Sequence, residues 1–282
     1  MRRKIGSKFQ CGVSAAVLAA AASVAGVSSS QAGIIYQDNF ARGTVANPDA
    51  LNGSTPAPVD TNSATWSAFQ TNTGSNIVTN GSEAVLPSVG RSVGYLPLTL
   101  AASETYVFSA TLTPGATSSD TNSQDWLGMG FSNQASEASS ADIYAGGSEA
   151  WLIYRGNSGT QSFYGGAGSN GASGGYANSN HLPPAPSDTF TITLTTPANL
   201  ASGGASVSFY DSLGLVGTLA SPRHVSLTNS ELSTINDISV GSFNWGGTIS
   251  NVELAVPEPA TLGLLGAGGL GLLLVGRKRK TV

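Results

Sequence analysis

Residues 188–195 read Asp188-Thr189-Phe190-Thr191-Ile192-Thr193-Leu194-Thr195. Apolar and hydroxyl side chains alternate through the segment. Successive residues of a strand point to opposite faces, so Phe190, Ile192 and Leu194 share one face and Thr189, Thr191 and Thr193 the other. Trp126-Leu127-Gly128-Met129-Gly130-Phe131 alternates in the same way, with Leu127, Met129 and Phe131 set against Trp126 and two glycines. Working outward, short apolar or β-branched runs separated by Gly, Ser, Thr, Asn and Ala give fourteen candidate strands between Ile34 and Val256. Thr65–Phe69, Ser75–Val78 and Leu215–Leu219 are among them. No stretch keeps a helical period over three turns; one short turn is expected near Ser230–Ile235, capped by Thr228 or Asn229. Many short strands in one body imply an all-β fold of two stacked antiparallel sheets.

The two ends differ in kind from this body. Arg2, Arg3, Lys4 and Lys8 precede an uncharged, Ala/Val-rich stretch from Cys11 to Val27. Ser30-Gln31-Ala32 places small residues where a signal peptidase cuts, so residues 1–32 are expected to be removed after Ala32. Cys11, the one cysteine, goes with them, and the body must be held by its core rather than by disulfides. At the other end Pro257-Glu258-Pro259 precedes an uncharged run, Ala260 to Gly276, and then Arg277-Lys278-Arg279-Lys280. As a helix the run reaches roughly 25 Å, close to the ~30 Å of a bilayer core. The four cations are expected to stay cytoplasmic, with everything before Pro257 outside. The division is therefore a signal peptide (1–32), a β-sandwich (33–255) and a C-terminal segment (256–282) whose span covers 260–276.

The triplet, span and basic cluster, in that order, resemble the C-terminal signal of the PEP-CTERM proteins of polysaccharide-producing Gram-negative bacteria. The resemblance implies export, anchorage in the inner membrane by the C-terminal span, and processing near the triplet by an exosortase-type membrane peptidase. Its partners would then be that peptidase, the Sec export machinery and the membrane, with the cell envelope or the exterior as destination. A second resemblance runs through most of residues 34–255. Asp38-Asn39-Phe40-x-Arg42, Leu51-Asn52-Gly53, Trp66, the Trp126–Phe131 run, Ala150-Trp151-Leu152-Ile153-Tyr154-Arg155 and the closing Thr248–Leu254 are similar to the concanavalin A-like, laminin-G-like jelly rolls. That similarity implies a two-sheet jelly-roll sandwich whose first and last strands pair, bringing Asp38–Phe40 near Val252–Leu254.

Charge excludes some functions. Between Gly33 and Val256 there is no lysine, and Arg42, Arg91, Arg155 and Arg223 face fifteen acids, a net charge of −11. With no basic stripe to displace counterions the body is not a nucleic-acid binder, and it is repelled by strongly anionic polymers. Neutral extracellular polysaccharide remains a candidate partner. The same charge also serves simple solubility.

No motif names a reaction. Glycosidases of this fold carry Glu-x-Asp-x-x-Glu on one strand, because retaining chemistry needs two carboxyls about 5–5.5 Å apart; the pattern is absent. A lyase needs a base beside a charge neutraliser, and the two histidines, His181 and His224, fall in apparent loops. The expectation is a non-catalytic module, structural or glycan-binding, with a carbohydrate-active enzyme (glycoside hydrolase or lyase) as the alternative. Asp120, Asn122 and Asp125 form an oxygen-rich loop that offers hard ligands to Ca2+, although Asx-rich turns also arise without metal. The Gly-rich run 165–175 reads as a long connection. For glycan stacking the candidates are Trp245, in an apparent turn, together with Trp151 and Tyr164. Trp151 and Tyr154 occupy opposite faces of one strand, so at most one faces solvent.

Overall fold

The computed structural model describes residues 33–71, 76–115, 125–133, 143, 148–157, 159–166, 176–181, 187–214 and 216–257. Gly33–Pro257 forms a compact unit with its own core. A ten-stranded sheet holds β1 (Gly33–Asp38), β2 (Asp49–Ala50), β3 (Pro58–Asp60), β5 (Val78–Thr79), β6 (Ala84–Leu86), β8 (Thr105–Pro114), β13 (Asp188–Thr195), β14 (Ala205–Asp211), β15 (Arg223–Leu227) and β17 (Gly247–Val256). A seven-stranded sheet holds β4 (Ser67–Thr71), β7 (Arg91–Pro97), β9 (Asp125–Ser132), β10 (Ser148–Asn157), β11 (Gly159–Gly166), β12 (Tyr176–His181) and β16 (Asp237–Phe243). All the recorded pairings are antiparallel.

The period-2 reading sets the layers. Phe190, Ile192 and Leu194 of β13 and Phe108, Ala110 and Leu112 of β8 meet Leu127, Met129 and Phe131 of β9 and Leu152 and Tyr154 of β10 in one core. Phe108 and Phe131 meet edge to face, with ring centroids 5.8 Å apart. The first and last strands do pair, with Tyr36 opposite Leu254 and Asp38 opposite Val252. The short helix α1 spans Asn229–Thr234. Thr228 caps it, accepting from the Glu231 N–H, while Glu231 accepts from the Thr228 N–H.

Three expected strands shift. Thr65–Phe69 becomes β4 two residues later, because Trp66 turns inward to a buried carboxylate. Of Ser75–Val78, Ser75 lies outside the described residues, and only Val78 is in a strand, Val78–Thr79. The expected strand Leu215–Leu219 is replaced by a turn: Asp211 accepts from the Val216 and Gly217 N–H groups and closes the chain there, leaving one bridge, Thr218 to Ser221. His224, expected in a loop, lies on β15, and His181 ends β12. Among the described residues no helix is long and apolar enough to cross a membrane; the span 260–276 lies outside them.

Candidate functional site

Carboxylates are where chemistry would start. Asp38 is fully buried at the end of β1. Its Oδ2 accepts from Trp66 Nε1 and Arg42 Nη2, each at 2.7 Å; its Oδ1 accepts from the Phe40 N–H and Arg42 Nη1, each at 2.9 Å. The Arg42 guanidinium lies 5.5 Å from the Phe40 ring centroid. The opening Asp-Asn-Phe-x-Arg with its distant Trp is thus a clasp that fixes the first strand, and all four acceptor positions of the carboxylate are taken.

Asp188 and Asp211 form the second acidic centre, which sequence reasoning missed. They end the inward faces of β13 and β14 and are 1% and 4% exposed. Asp188 Oδ1 accepts from Ser212 Oγ at 2.6 Å and from the Ser212 N–H at 3.0 Å. Asp211 and the Tyr154 hydroxyl, arriving from the other sheet, are the neighbours that bear on Asp188, whose Oδ1 also accepts from the Leu213 N–H at 3.3 Å. Two neighbouring buried carboxyls disfavour each other's ionisation. Burial, then the neighbouring Asp211, push the Asp188 carboxyl up to about 7. Burial also raises the Tyr154 phenol well above its ordinary range. The signal was available: in both strands an acid sits in phase with the apolar face, as Asp188-x-Phe190 and Phe209-x-Asp211.

Across the outer face of the seven-stranded sheet, ladder rungs align Ile153, Gly128, Gly241 and Val93, and next to them Trp151, Gly130, Ser239 and Tyr95. Trp126, Trp151, Tyr95, Val93 and Ile153 form a second apolar cluster with Ile143, and all are buried. At its margin the Arg91 guanidinium stacks 4.8 Å from the Phe243 centroid. This corrects the stacking candidates. Trp151 is 1% exposed, on the face opposite Tyr154 as its phase requires, but covered. Trp245 does sit in the turn between β16 and β17, yet it is 2% exposed. Its Nε1 donates to the Gly115 carbonyl at 3.2 Å and its ring packs edge-on to Tyr154. Tyr164 falls on β11 opposite Leu152, with its side chain outside the described residues.

The remaining sequence candidates do not converge. Asp125 is buried at the start of β9; Asp120 and Asn122 lie outside the described residues, as do Ala32, Glu258, Pro259 and Arg277–Lys280, while Pro257 directly follows β17. Among the described residues no group of three His, Cys, Asp or Glu side chains is placed to hold a metal. Glu149 of β10 accepts from Thr234 Oγ1 at 2.7 Å, and burial raises its carboxyl. Ser208 Oγ and His224 Nδ1 lie 3.0 Å apart on an exposed strand face.

The outer face of the ten-stranded sheet is different. Its ladder rungs align Ser250, Thr111 and Thr189; Ser109, Thr191 and Tyr210; and Val107, Thr193, Ser208 and His224. Thr111 and Thr189 share a hydrogen bond at 2.9 Å, and Thr105 and Thr195 one at 3.3 Å. Hydroxyl side chains predominate on this face, interrupted by Val107 and His224, with Glu253 opposite Ser109 and Thr191 buried.

Residues 255–280 match the PEP-CTERM protein-sorting motif, so the chain carries an export-sorting signal. No curated protein matches the chain. Similar solved structures include an endo-1,3-β-glucanase from Streptomyces sioyaensis, 11% identical over 82% of this chain and 98% of that one, with a TM-score of 0.47. The Emp47p carbohydrate recognition domain is 12% identical over 83% and 99%, with a TM-score of 0.44. Arcelin-5, a lectin-like defence protein from Phaseolus vulgaris, is 9% identical over 69% and 93%, with a TM-score of 0.35. These neighbours have concanavalin A-like jelly-roll folds.

Proposed function

We propose that this chain, with a PEP-CTERM motif on a two-sheet β-body, is a non-catalytic glycan-binding module of the cell envelope or extracellular matrix. Residues 1–32 act as a Sec-type signal peptide. The 260–276 span holds the chain in the inner membrane until an exosortase-type peptidase processes it near Pro257. The observation that carries the non-catalytic reading is the fate of the acids. Asp38 is saturated by four donors, and the Asp188–Asp211 pair, whose raised carboxyl would suit a general acid, is sealed between the sheets. A glycosidase needs its two carboxyls open to a sugar ring.

The test is a pull-down of the purified chain with a panel of neutral and anionic polysaccharides, with and without Ca2+, scored for both binding and release of reducing ends. Saturable binding without new reducing ends supports the proposal. Chain cleavage that survives Asp188→Asn would transfer the assignment to a carbohydrate-active enzyme with another site. Binding lost on chelation would bring in the Asp120, Asn122 and Asp125 loop.

A further inference from the structure

We infer that the polymer docks on the outer face of the ten-stranded sheet, and that it is an extended, uncharged polysaccharide. The inference rests on the glycan-binding reading above and specifies the surface and the ligand class. On the outward side of β13, Thr195 is exposed, Thr189 and Thr193 are half-buried and Thr191 between them is buried, and the flanking strands β8 and β14 add the half-buried Thr111 and Ser208 on the same rungs. Neighbours on one rung are about 4.8 Å apart across the sheet, and same-face rungs are about 6.7 Å apart along it, so the hydroxyls form a two-dimensional grid.

Three physical points select the occupant. Each hydroxyl both donates and accepts, and cross-strand bonds such as Thr111 to Thr189 orient the grid before a ligand arrives, which matches a partner made of hydroxyls. The outward positions of β8, β13 and β14 carry no ionisable acid or base other than the weakly acidic Tyr210 phenol; Glu253 of β17, opposite Ser109, and His224 of β15, opposite Ser208, bound the face on either side. In a body of net charge −11 without lysine, that is a local neutral surface, which repels an anionic chain least and offers a cationic one nothing. A broad sheet face also cannot enclose a single sugar; affinity must accumulate from many weak contacts along a polymer. The aromatic face of the other sheet, the usual alternative for sugar stacking, is closed by its own packing.

The probe is co-sedimentation of the full-length chain, in mild detergent, with an insoluble neutral β-glucan and with an anionic alginate gel. Thr111→Val/Thr189→Val/Thr193→Val removes three hydroxyls at constant shape, and Thr193→Lys puts a charge in the middle of the grid. Val45→Lys, on an exposed loop before β2, is the control. Urea midpoints verify that each variant is folded. The expected result is binding to the neutral polymer that changes less than about twofold between roughly 50 and 500 mM salt, falls at least about tenfold in both face variants, and is unchanged in the control. Binding that persists in both face variants overturns the surface assignment while leaving glycan recognition intact. Loss of all binding in the wild type overturns both. A dimer seen by sedimentation and broken by Thr193→Lys would assign the face to a second copy of the chain and overturn the inference.

Discussion

Replacing Asp188 with asparagine removes a buried titrating carboxyl with little change of shape, and the effect on stability must depend on pH. In the unfolded chain an aspartate titrates near 3.9; in the fold Asp188 is pushed up to about 7 by burial and by Asp211. The native state therefore keeps a proton that the unfolded state releases, and stability is lost as pH rises through this window. The contribution is fully present below about pH 4, declines across about pH 4–7, and is gone above. Three pH units at about 1.4 kcal/mol each set an upper limit of about 4 kcal/mol for the loss. The asparagine cannot titrate, still accepts from Ser212 through its oxygen, and can donate its amide N–H to an ionised Asp211. Urea unfolding followed by tryptophan fluorescence at about pH 4.5, 6 and 7.5 should show the wild type losing about 2–3 kcal/mol relative to Asp188→Asn. Profiles parallel within about 0.5 kcal/mol would refute the retained Asp188 proton and the burial of the pair.

Three further outcomes are expected. Asp38→Asn leaves four donors, two of them on the Arg42 guanidinium, facing a group with one acceptor oxygen, and should cost about 3–5 kcal/mol in urea unfolding; a loss under about 1 kcal/mol would reduce the clasp to a bystander. Gly128→Ala drives a methyl to 2.3 Å from Ile153 Cγ2 and 2.9 Å from the Leu152 carbonyl, so a loss of about 1–3 kcal/mol is expected from thermal melts, whereas a neutral result would mean the outer face is loosely packed. Thr228→Ala removes one half of the capping box and should lower stability by about 1 kcal/mol, with Thr228→Ser restoring most of it.

Local periodicity carried the architecture, and it reached as far as two-residue phase can reach. It put Phe190 inside and Thr189 outside, separated Trp151 from Tyr154, and marked the turn at α1. It failed where a residue's environment is made by a distant segment. Trp245 stands in a turn, but that turn folds onto the Gly115 carbonyl and the Tyr154 ring, 130 and 91 positions away in sequence. Leu215–Leu219 has the composition of a strand, yet the Asp211 carboxylate captures the Val216 and Gly217 N–H groups and bends the chain. The candidate binding face was legible in the threonines of residues 189–195. It went unread because hydroxyls on an outward strand face are also what β-propensity alone would place there, and only the register across β8, β13 and β14 shows that they line up.

The position of β17 bears on how the chain reaches its destination. This last described strand is not at an edge: β8 flanks it on one side, and β1 and β6 on the other. The ten-stranded sheet is divided until Gly247–Val256 arrives, and the body's other half-sheets have open edges in the meantime. Its contacts join segments more than two hundred residues apart, such as Gly33 with Val256, so closure is slow by topology. A chain synthesised from its N-terminus therefore carries unpaired strand edges and exposed apolar faces until its final ten body residues are available. A pause in synthesis just short of residue 247 would be the moment of greatest aggregation hazard, and a holding chaperone would have its largest effect there.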